Sequence, residues 1–141
     1  MIKLDIARRI AFSMLNKPYC WGGNDPIKGF DCSGFVIEIL KSVGLLPAKG
    51  DWTAKGLYDK FKDYIISEDC ISEGCLIFWE NSEGVVNHVE YALTSKLSIG
   101  ARGCSSVVDI GKAIEQDAYI KIRPIKDRGR KIHAVINLFC C

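Results

Sequence analysis

The chain has 141 residues, 48% of them hydrophobic and 26% charged, and its formal net charge is +2. This length predicts one domain over residues 1–141 with a sizeable hydrophobic core, and the composition excludes an intrinsically disordered chain. The small charge argues against a nucleic-acid partner. We assign the short basic cluster Arg128-Gly129-Arg130-Lys131 to a surface loop.

The N-terminus has charged residues spaced through it and lacks the long uncharged core of a signal peptide. Its apolar residues instead fall on one side of an amphipathic helix, predicted over residues 3–16. No apolar run is long enough to cross a bilayer. We therefore expect a protein that is made in the cytoplasm, without a signal peptide or a membrane span.

Hydrophobic periodicity divides the rest of the chain into a helical first half and a β-rich second half. A glycine-containing loop follows the first helix, a second helix starts at Cys32 and stops near Gly44, and a third covers residues 53–64. Strands are predicted over residues 75–79, 85–93, 97–101, 119–124 and 132–139, with a short helix over residues 109–116. Helices followed by an antiparallel sheet define an α+β domain.

The seven cysteines are scattered and odd in number, and none forms a C-x-x-C pair. Without a secretion signal, this pattern argues against a disulfide framework. The two histidines are isolated from one another, so a zinc site has little support. We expect neither a metal nor a cofactor.

Cys32 is the strongest candidate for a reactive residue. A thiol acts as a nucleophile when it is ionised, and the N-terminus of a helix stabilises that negative charge. Asp31 or Ser33 could cap the first turn, and Gly34 leaves room for a ligand near the backbone. The alternative is an ordinary buried cysteine inside a core helix.

A catalytic cysteine needs a base, and histidine suits this role near neutral pH. His88 lies in a predicted strand from which its side chain can face the Cys32 helix. His133 lies in the last apolar strand and reads more easily as a packed or edge residue. Either histidine could be purely structural, and His88 is the better candidate for the base.

Four segments in a fixed order carry a family resemblance over roughly residues 5–125. They are Tyr19-Cys20-Trp21-Gly22-Gly23, Phe30-Asp31-Cys32-Ser33-Gly34-Phe35, Gly74-Cys75-Leu76-Ile77-Phe78-Trp79 and His88-Val89. Together they resemble the NlpC/P60 family of papain-like cysteine peptidases, whose members are bacterial and phage cell-wall hydrolases. The resemblance implies a papain-like fold and cleavage of peptidoglycan stem peptides between D-glutamate and a diamino acid.

The same resemblance implies roles for individual residues. Cys32 would be the nucleophile and His88 the general base. Tyr19 and the backbone N–H of Cys32 would stabilise the oxyanion. Asp31 and Ser33 would hold polar groups of the stem peptide, with Asp31 suited to a free amine, and Trp21 would shape the wall of the cleft.

The sequence departs from the family pattern at two positions. A third polar residue usually orients the catalytic histidine, but its place here falls on Gly100. Glu90 is a candidate substitute, because alternation puts it on the same strand face as His88. Those positions lie roughly 6.5–7 Å apart, so contact requires Glu90 to lean back. Glu90 could instead bind substrate or be solvated, and a carbonyl or a water could orient His88. Cys75 stands where relatives often have Asp, which predicts altered anchoring of its loop.

We therefore expect a monomeric cysteine endopeptidase acting on peptidoglycan or muropeptides. Delivery by a phage tail or another release route, or cytoplasmic recycling of muropeptides, would bring it to its substrate. Two rivals stay open. One is a catalytically impaired cell-wall-binding module, motivated by Gly100. The other is a cysteine amidase or acyltransferase of a related fold.

Overall fold

Helices occupy the first part of the chain and strands the second part, as the sequence predicts. The computed structural model describes residues 2–17, 24–25, 29–101, 119–126 and 128–139. Within these ranges the helices are α1 (Ile2–Ser13), α2 (Cys32–Ser42) and α3 (Ala54–Phe61). The strands are β1 (Asn24–Asp25), β2 (Gly29–Phe30), β3 (Ile65–Ile66), β4 (Leu76–Glu80), β5 (Val86–Ala92), β6 (Leu97–Ala101), β7 (Ile120–Pro124) and β8 (Ile132–Ile136).

The main sheet has six strands in the order β3-β8-β4-β5-β6-β7, and all neighbours pair antiparallel. Strands β1 and β2 form a separate antiparallel pair just before α2. Strand β4 lies inside the sheet between β8 and β5, and its first four residues are buried. Its sequence, Leu-Ile-Phe-Trp, is continuously apolar because both faces of this strand are covered.

Helices α1, α2 and α3 contribute to the larger core on one face of the sheet. Its largest fully buried side chains include Phe35, Phe78, Tyr91 and Leu57. A smaller apolar cluster covers the opposite face and contains Cys75, Ile77, Trp79, Ala92, Ile125 and Val135. Strand β5 therefore has buried surroundings on both sides, and its polar residues need partners within the protein.

The structure confirms the predicted α+β class and shows where element boundaries differ. Helix α1 ends at Ser13, three residues early, because the chain turns through Asn16 with φ of 70°. The third helix stops at Phe61 and continues as a 3₁₀ turn, Lys62–Tyr64. Strand β3 was missed, since two residues are too short for a periodic signal. The helix predicted over residues 109–116 lies outside the described residues.

Within the described ranges, none of the helices combines the length and the apolar character needed to cross a bilayer.

Candidate active site

Cys32 is the first residue of α2, the position that the sequence predicts. Asp31 is the N-cap, and its Oδ1 accepts a hydrogen bond of 2.6 Å from the backbone N–H of Gly34. The backbone N–H of Phe35 donates to the Asp31 carbonyl at 3.0 Å and starts the helical ladder. The N–H of Cys32 precedes that ladder, so it has no acceptor within the helix. The half-buried thiol thus lies in the positive end of the helix dipole.

His88 lies on β5 and reaches the Cys32 thiol. Trp79 of β4 is its cross-strand neighbour, and the two rings pack with their centroids 5.5 Å apart. Burial lowers the pKa of His88, but a hydrogen bond and charge interaction with Cys32, together with those of Glu90, outweigh it and raise the pKa to about 9. The imidazole is therefore held in the protonated form that stabilises a neighbouring thiolate.

Glu90 contacts the other side of the same ring. Its Oε2 lies 2.6 Å from Nε2 of His88, which leaves Nδ1 for the thiol. The carboxylate does lean back along the strand, as the predicted contact requires. Cys32, His88 and Glu90 thus form a continuous thiol–imidazole–carboxylate chain.

The carboxylate of Glu90 is fully buried and is surrounded by donors. Ser98 on β6 donates to Oε1 at 2.7 Å, and Arg123 on β7 donates to Oε2 at 3.1 Å. Arg128 donates to both oxygens, at 2.7 and 3.1 Å. Burial raises the pKa of Glu90, but His88 and Arg128 outweigh it and lower the pKa to about 2. Glu90 is therefore ionised at neutral pH.

Arg128 corrects one expectation from the sequence. The residue does lie in the loop between β7 and β8, but its side chain turns inward and is only 8% exposed. Its guanidinium carbon stacks 4.7 Å from the ring centroid of Trp79, and its Nε donates to the Pro124 carbonyl at 2.6 Å. Loop residues show no periodicity, so burial of this one side chain left no signal in the sequence.

An open cleft of about 550 Å³ lies beside the thiol. The structure brings Asp31 and Ser33 to its wall together with Cys32. Among the described residues, the cleft is also lined by residues for which the sequence predicts no role: Asp51, Trp52, Thr53, Ala54, Lys55, Val86 and Asn87. Tyr19 and Trp21, predicted to contribute to the oxyanion site and the cleft wall, lie outside the described residues.

Known proteins resemble this chain in sequence and in fold. The NlpC/P60 family sequence model matches residues 16–129, most of the chain. The chain belongs to the NlpC/P60 family. It is 31% identical over 115 residues to the probable endopeptidase YafL of Escherichia coli K12, and 33% identical over 92 residues to the murein DD-endopeptidase MepH of the same organism.

These matches cover 79% and 62% of the chain but 45% and 33% of YafL and MepH, so the chain spans less than half of either relative. Among solved structures, an NlpC/P60 protein from Bacillus cereus superposes with a TM-score of 0.75, at 22% identity, over 95% of the chain and 39% of that protein. The NlpC/P60 domain of the peptidoglycan hydrolase SagA gives a TM-score of 0.70 at 25% identity, over 96% and 98%. The NlpC/P60 fold is thus confirmed.

Gly100 explains how this NlpC/P60 chain accommodates Glu90. A Cβ atom built on Gly100 would lie 2.3 Å from Cγ and 2.7 Å from Cδ of Glu90. Any side chain at this β6 position would therefore collide with the carboxylate. The family resemblance places the residue that orients His88 at the position of Gly100. In this chain Glu90, which lies on the same strand as His88, fills that space.

Cys75, the second departure from the family pattern, and His133, the second histidine, both have packing or hydrogen-bonding partners. Cys75 is buried, and its sulfur accepts from the Ser72 backbone N–H at 3.5 Å, so it anchors its loop as a weak acceptor. His133 hydrogen-bonds Glu80 at 3.0 Å and packs edge-on against Tyr58, as expected for a packed residue. No cluster suited to a metal ion occurs among the side chains described.

Proposed function

We propose that this NlpC/P60 chain is a cysteine endopeptidase that hydrolyses peptidoglycan stem peptides at the bond between D-glutamate and a diamino acid. The thiol–imidazole–carboxylate chain of Cys32, His88 and Glu90 carries the proposal. The names of the relatives support the substrate class, because YafL is called a probable endopeptidase and MepH a murein endopeptidase. Phage-tail delivery stays a prediction.

Acylation begins with the Cys32 thiolate next to protonated His88. The sulfur attacks the carbonyl carbon of the scissile amide, and the negative charge moves to the carbonyl oxygen. The backbone N–H of Cys32, which has no acceptor within α2, is the proposed first donor for this oxyanion, and the Tyr19 phenol is the proposed second. His88 then gives its proton to the leaving amine nitrogen, and the C–N bond breaks to leave a thioester.

Deacylation uses the same residues in reverse. Neutral His88 accepts a proton from a water molecule, whose oxygen attacks the thioester carbonyl. The C–S bond breaks to release the thiolate, and the carboxylic acid product leaves and gives its remaining proton to solvent. The proton that His88 took from water stays on the ring and restores the ion pair with Cys32. Glu90 keeps the His88 ring oriented during both acylation and deacylation. Its hydrogen bond to Nε2 fixes the ring so that Nδ1 points toward the sulfur.

Asp31 and Ser33 are proposed to recognise the substrate at the cleft wall. Ser33 is buried, and its Oγ lies 3.4 Å from Oδ1 of Asp31, which links the two side chains. Oδ1 of Asp31 also caps α2. We propose that the Asp31 carboxylate also contacts a free amine of the muropeptide, since it lines the cleft beside Cys32 and a carboxylate accepts more than one hydrogen bond.

Digestion of purified peptidoglycan followed by mass spectrometry tests this function. We expect new fragments ending in a D-glutamate carboxyl group, and we expect Cys32→Ala to abolish them while remaining folded. Because MepH is named a DD-endopeptidase, the digest must also resolve cleavage between two D-residues. That product would overturn the proposed bond, and full activity of Cys32→Ala would overturn the nucleophile.

A thiol-labelling experiment separates the enzyme from an impaired binding module. An activated thiolate reacts with iodoacetamide well below about pH 8.5, whereas an ordinary thiol does not. Cys70 and Cys75 are also free thiols, so labelling must be read at Cys32 by peptide mapping. Rapid labelling of Cys32 near pH 6 supports the enzyme. Release of a fragment that has neither a new D-glutamate terminus nor a cut between two D-residues would support the amidase or acyltransferase.

A further inference from the structure

We propose that Arg128 is a positioning residue that clamps Glu90, and through Glu90 fixes the orientation of the His88 ring. This inference rests on the proposed cysteine-hydrolase function. Arg128 comes from the β7–β8 loop, outside the strand that carries the histidine and its carboxylate. Its guanidinium contacts the carboxylate of Glu90, so its proposed effect on the reaction is exerted through Glu90.

The geometry of the guanidinium is that of a two-pronged clamp. Its NH1 donates to Oε2 of Glu90 at 2.7 Å, and its NH2 donates to Oε1 at 3.1 Å. NH2 also donates to Oγ of Ser98 at 2.7 Å, and that hydroxyl donates to the same carboxylate. A bidentate contact of this kind fixes the plane of the carboxylate, which a point charge cannot do.

Arg128 is itself held rigidly. The ring of Trp79 covers its guanidinium carbon at 4.7 Å, and the Pro124 carbonyl accepts from Nε at 2.6 Å. Trp79 also packs against His88, so one aromatic ring supports both the base and the clamp. The Arg128 side chain is 8% exposed, a small fraction for a residue in a surface loop.

The charges around Glu90 explain why a cation is needed there. The carboxylate is fully buried, and a buried ion without compensation is strongly unfavourable. His88 and Arg123 also face it, at 2.6 and 3.1 Å, and Lys121 on β7 stands across from Gly100 beside it. Arg123 donates to one oxygen of Glu90 and Arg128 donates to both, so Arg128 is the principal clamp.

Arg128 has two separable effects on catalysis. Its positive charge balances Glu90, and without it the excess negative charge would disfavour the Cys32 thiolate. Its fork geometry orients the carboxylate, and without it the His88 ring would be less well aligned. Lysine retains the charge and loses the fork, whereas methionine loses both. Comparing Arg128→Lys with Arg128→Met therefore separates charge from orientation.

Two rates should be measured in the full chain for wild type, Arg128→Lys, Arg128→Met and Lys131→Met. The first is the pH profile of iodoacetamide alkylation at Cys32, which needs no peptidoglycan substrate. The second is hydrolysis of a purified muropeptide, resolved into kcat and KM. Lys131 is exposed in the same loop, so Lys131→Met removes an equal charge as a matched control.

The acid limb is the rise of the alkylation rate with pH on the acid side of the profile. For Arg128→Met we expect the midpoint of this limb to move to a pH about one unit higher. For Arg128→Lys we expect the limb to stay near the wild-type position while kcat falls about tenfold and KM changes less than about twofold. Lys131→Met should match wild type in both assays. A second variant, Arg128→Met with Glu90→Gln, removes both charges and should bring the limb back toward the wild-type pH.

A purely structural role for Arg128 would lower the amount of reactive protein without moving the midpoint of the alkylation profile. An unmoved midpoint in Arg128→Met, or wild-type kcat in Arg128→Lys, would therefore overturn the proposal. If wild-type protein fails to hydrolyse peptidoglycan, the proposed function fails, but the alkylation profiles still decide the role of Arg128. Circular dichroism identifies any variant that does not fold, and Arg128→Lys then serves as the informative variant.

Discussion

The decisive perturbation of the proposed site is Glu90→Gln, which removes one negative charge and preserves the shape of the side chain. Glu90 lies 2.6 Å from Nε2 of His88 and is one of the causes that raise the pKa of that residue to about 9. Glutamine can still hydrogen-bond the ring. The substitution therefore isolates the charge from the contact.

The expected size of the effect follows from Coulomb's law. Charge centres roughly 4 Å apart interact by about 4 kcal/mol at an effective dielectric constant near 20. One pKa unit corresponds to about 1.4 kcal/mol, so the pKa of His88 should fall by about 2 to 3 units. The direction is downward, because loss of Glu90 destabilises the imidazolium and leaves Arg123 and Arg128 facing it without their counter-ion.

Nuclear magnetic resonance of the imidazole rings measures this shift directly. The chain has only two histidines, so their titration curves can be assigned with a single His133→Gln variant. The titration should be repeated in Cys32→Ser, because Cys32 also raises the pKa of His88. Glu80→Gln is the matched control, since Glu80 hydrogen-bonds the other histidine, His133, at 3.0 Å.

Two results would refute this reasoning. A wild-type His88 that titrates at or below 6.5 would mean that its interactions with Cys32 and Glu90 do not outweigh the effect of burial. An unchanged midpoint in Glu90→Gln, in both the Cys32 and Cys32→Ser backgrounds, would mean that Glu90 does not stabilise the imidazolium. Urea unfolding should accompany the titration, because an unpaired Arg128 could destabilise the fold by about 3 to 5 kcal/mol.

Two further predictions concern neighbouring residues. Gly100→Ala should destabilise the protein by about 1 to 3 kcal/mol and lower activity, because its Cβ would collide with Cγ of Glu90. Measured by urea unfolding, the stability cost of Gly100→Ala should be smaller in a Glu90→Ala variant than in the wild type. An equal cost in both proteins would contradict the collision. Asp31→Asn should retain stability, since asparagine is also a good N-cap, but it should raise KM for a muropeptide with a free amine. If Asp31→Asn leaves KM unchanged and Asp31→Ala loses about 1 kcal/mol of stability, Asp31 acts only as the N-cap of α2.

The part of the site that could be predicted from sequence is the part that follows local rules. Asp31 and Cys32 mark a helix N-terminus by residue type and by the apolar periodicity that follows them. His88 and Glu90 share a strand face because β-strand side chains alternate. The contact between these two could be anticipated only as a possibility, since their ordinary spacing exceeds hydrogen-bonding distance.

The part that could not be predicted depends on long-range packing. Gly100 looked like a missing catalytic group, but its lack of a side chain creates the space into which Glu90 leans. Arg128 looked like a solvated loop residue. A buried carboxylate implies that a cation lies nearby, but the sequence offers many Lys and Arg residues and does not say which one turns inward.

Gly100, Glu90 and Arg128 are best understood as a set that works only when complete. A glutamate on β5 reaches His88 only where β6 provides a glycine beside it. Once there, the carboxylate is fully buried, so it needs a cation to remain ionised, and Arg128 supplies both the charge and two of its hydrogen bonds. Without Gly100 the carboxylate collides with β6, and without Glu90 the ring loses its orienting group. Without Arg128 the buried carboxylate loses two hydrogen bonds and one of the cations that face it. An orienting carboxylate on β5 therefore depends on residues of β6 and of the β7–β8 loop.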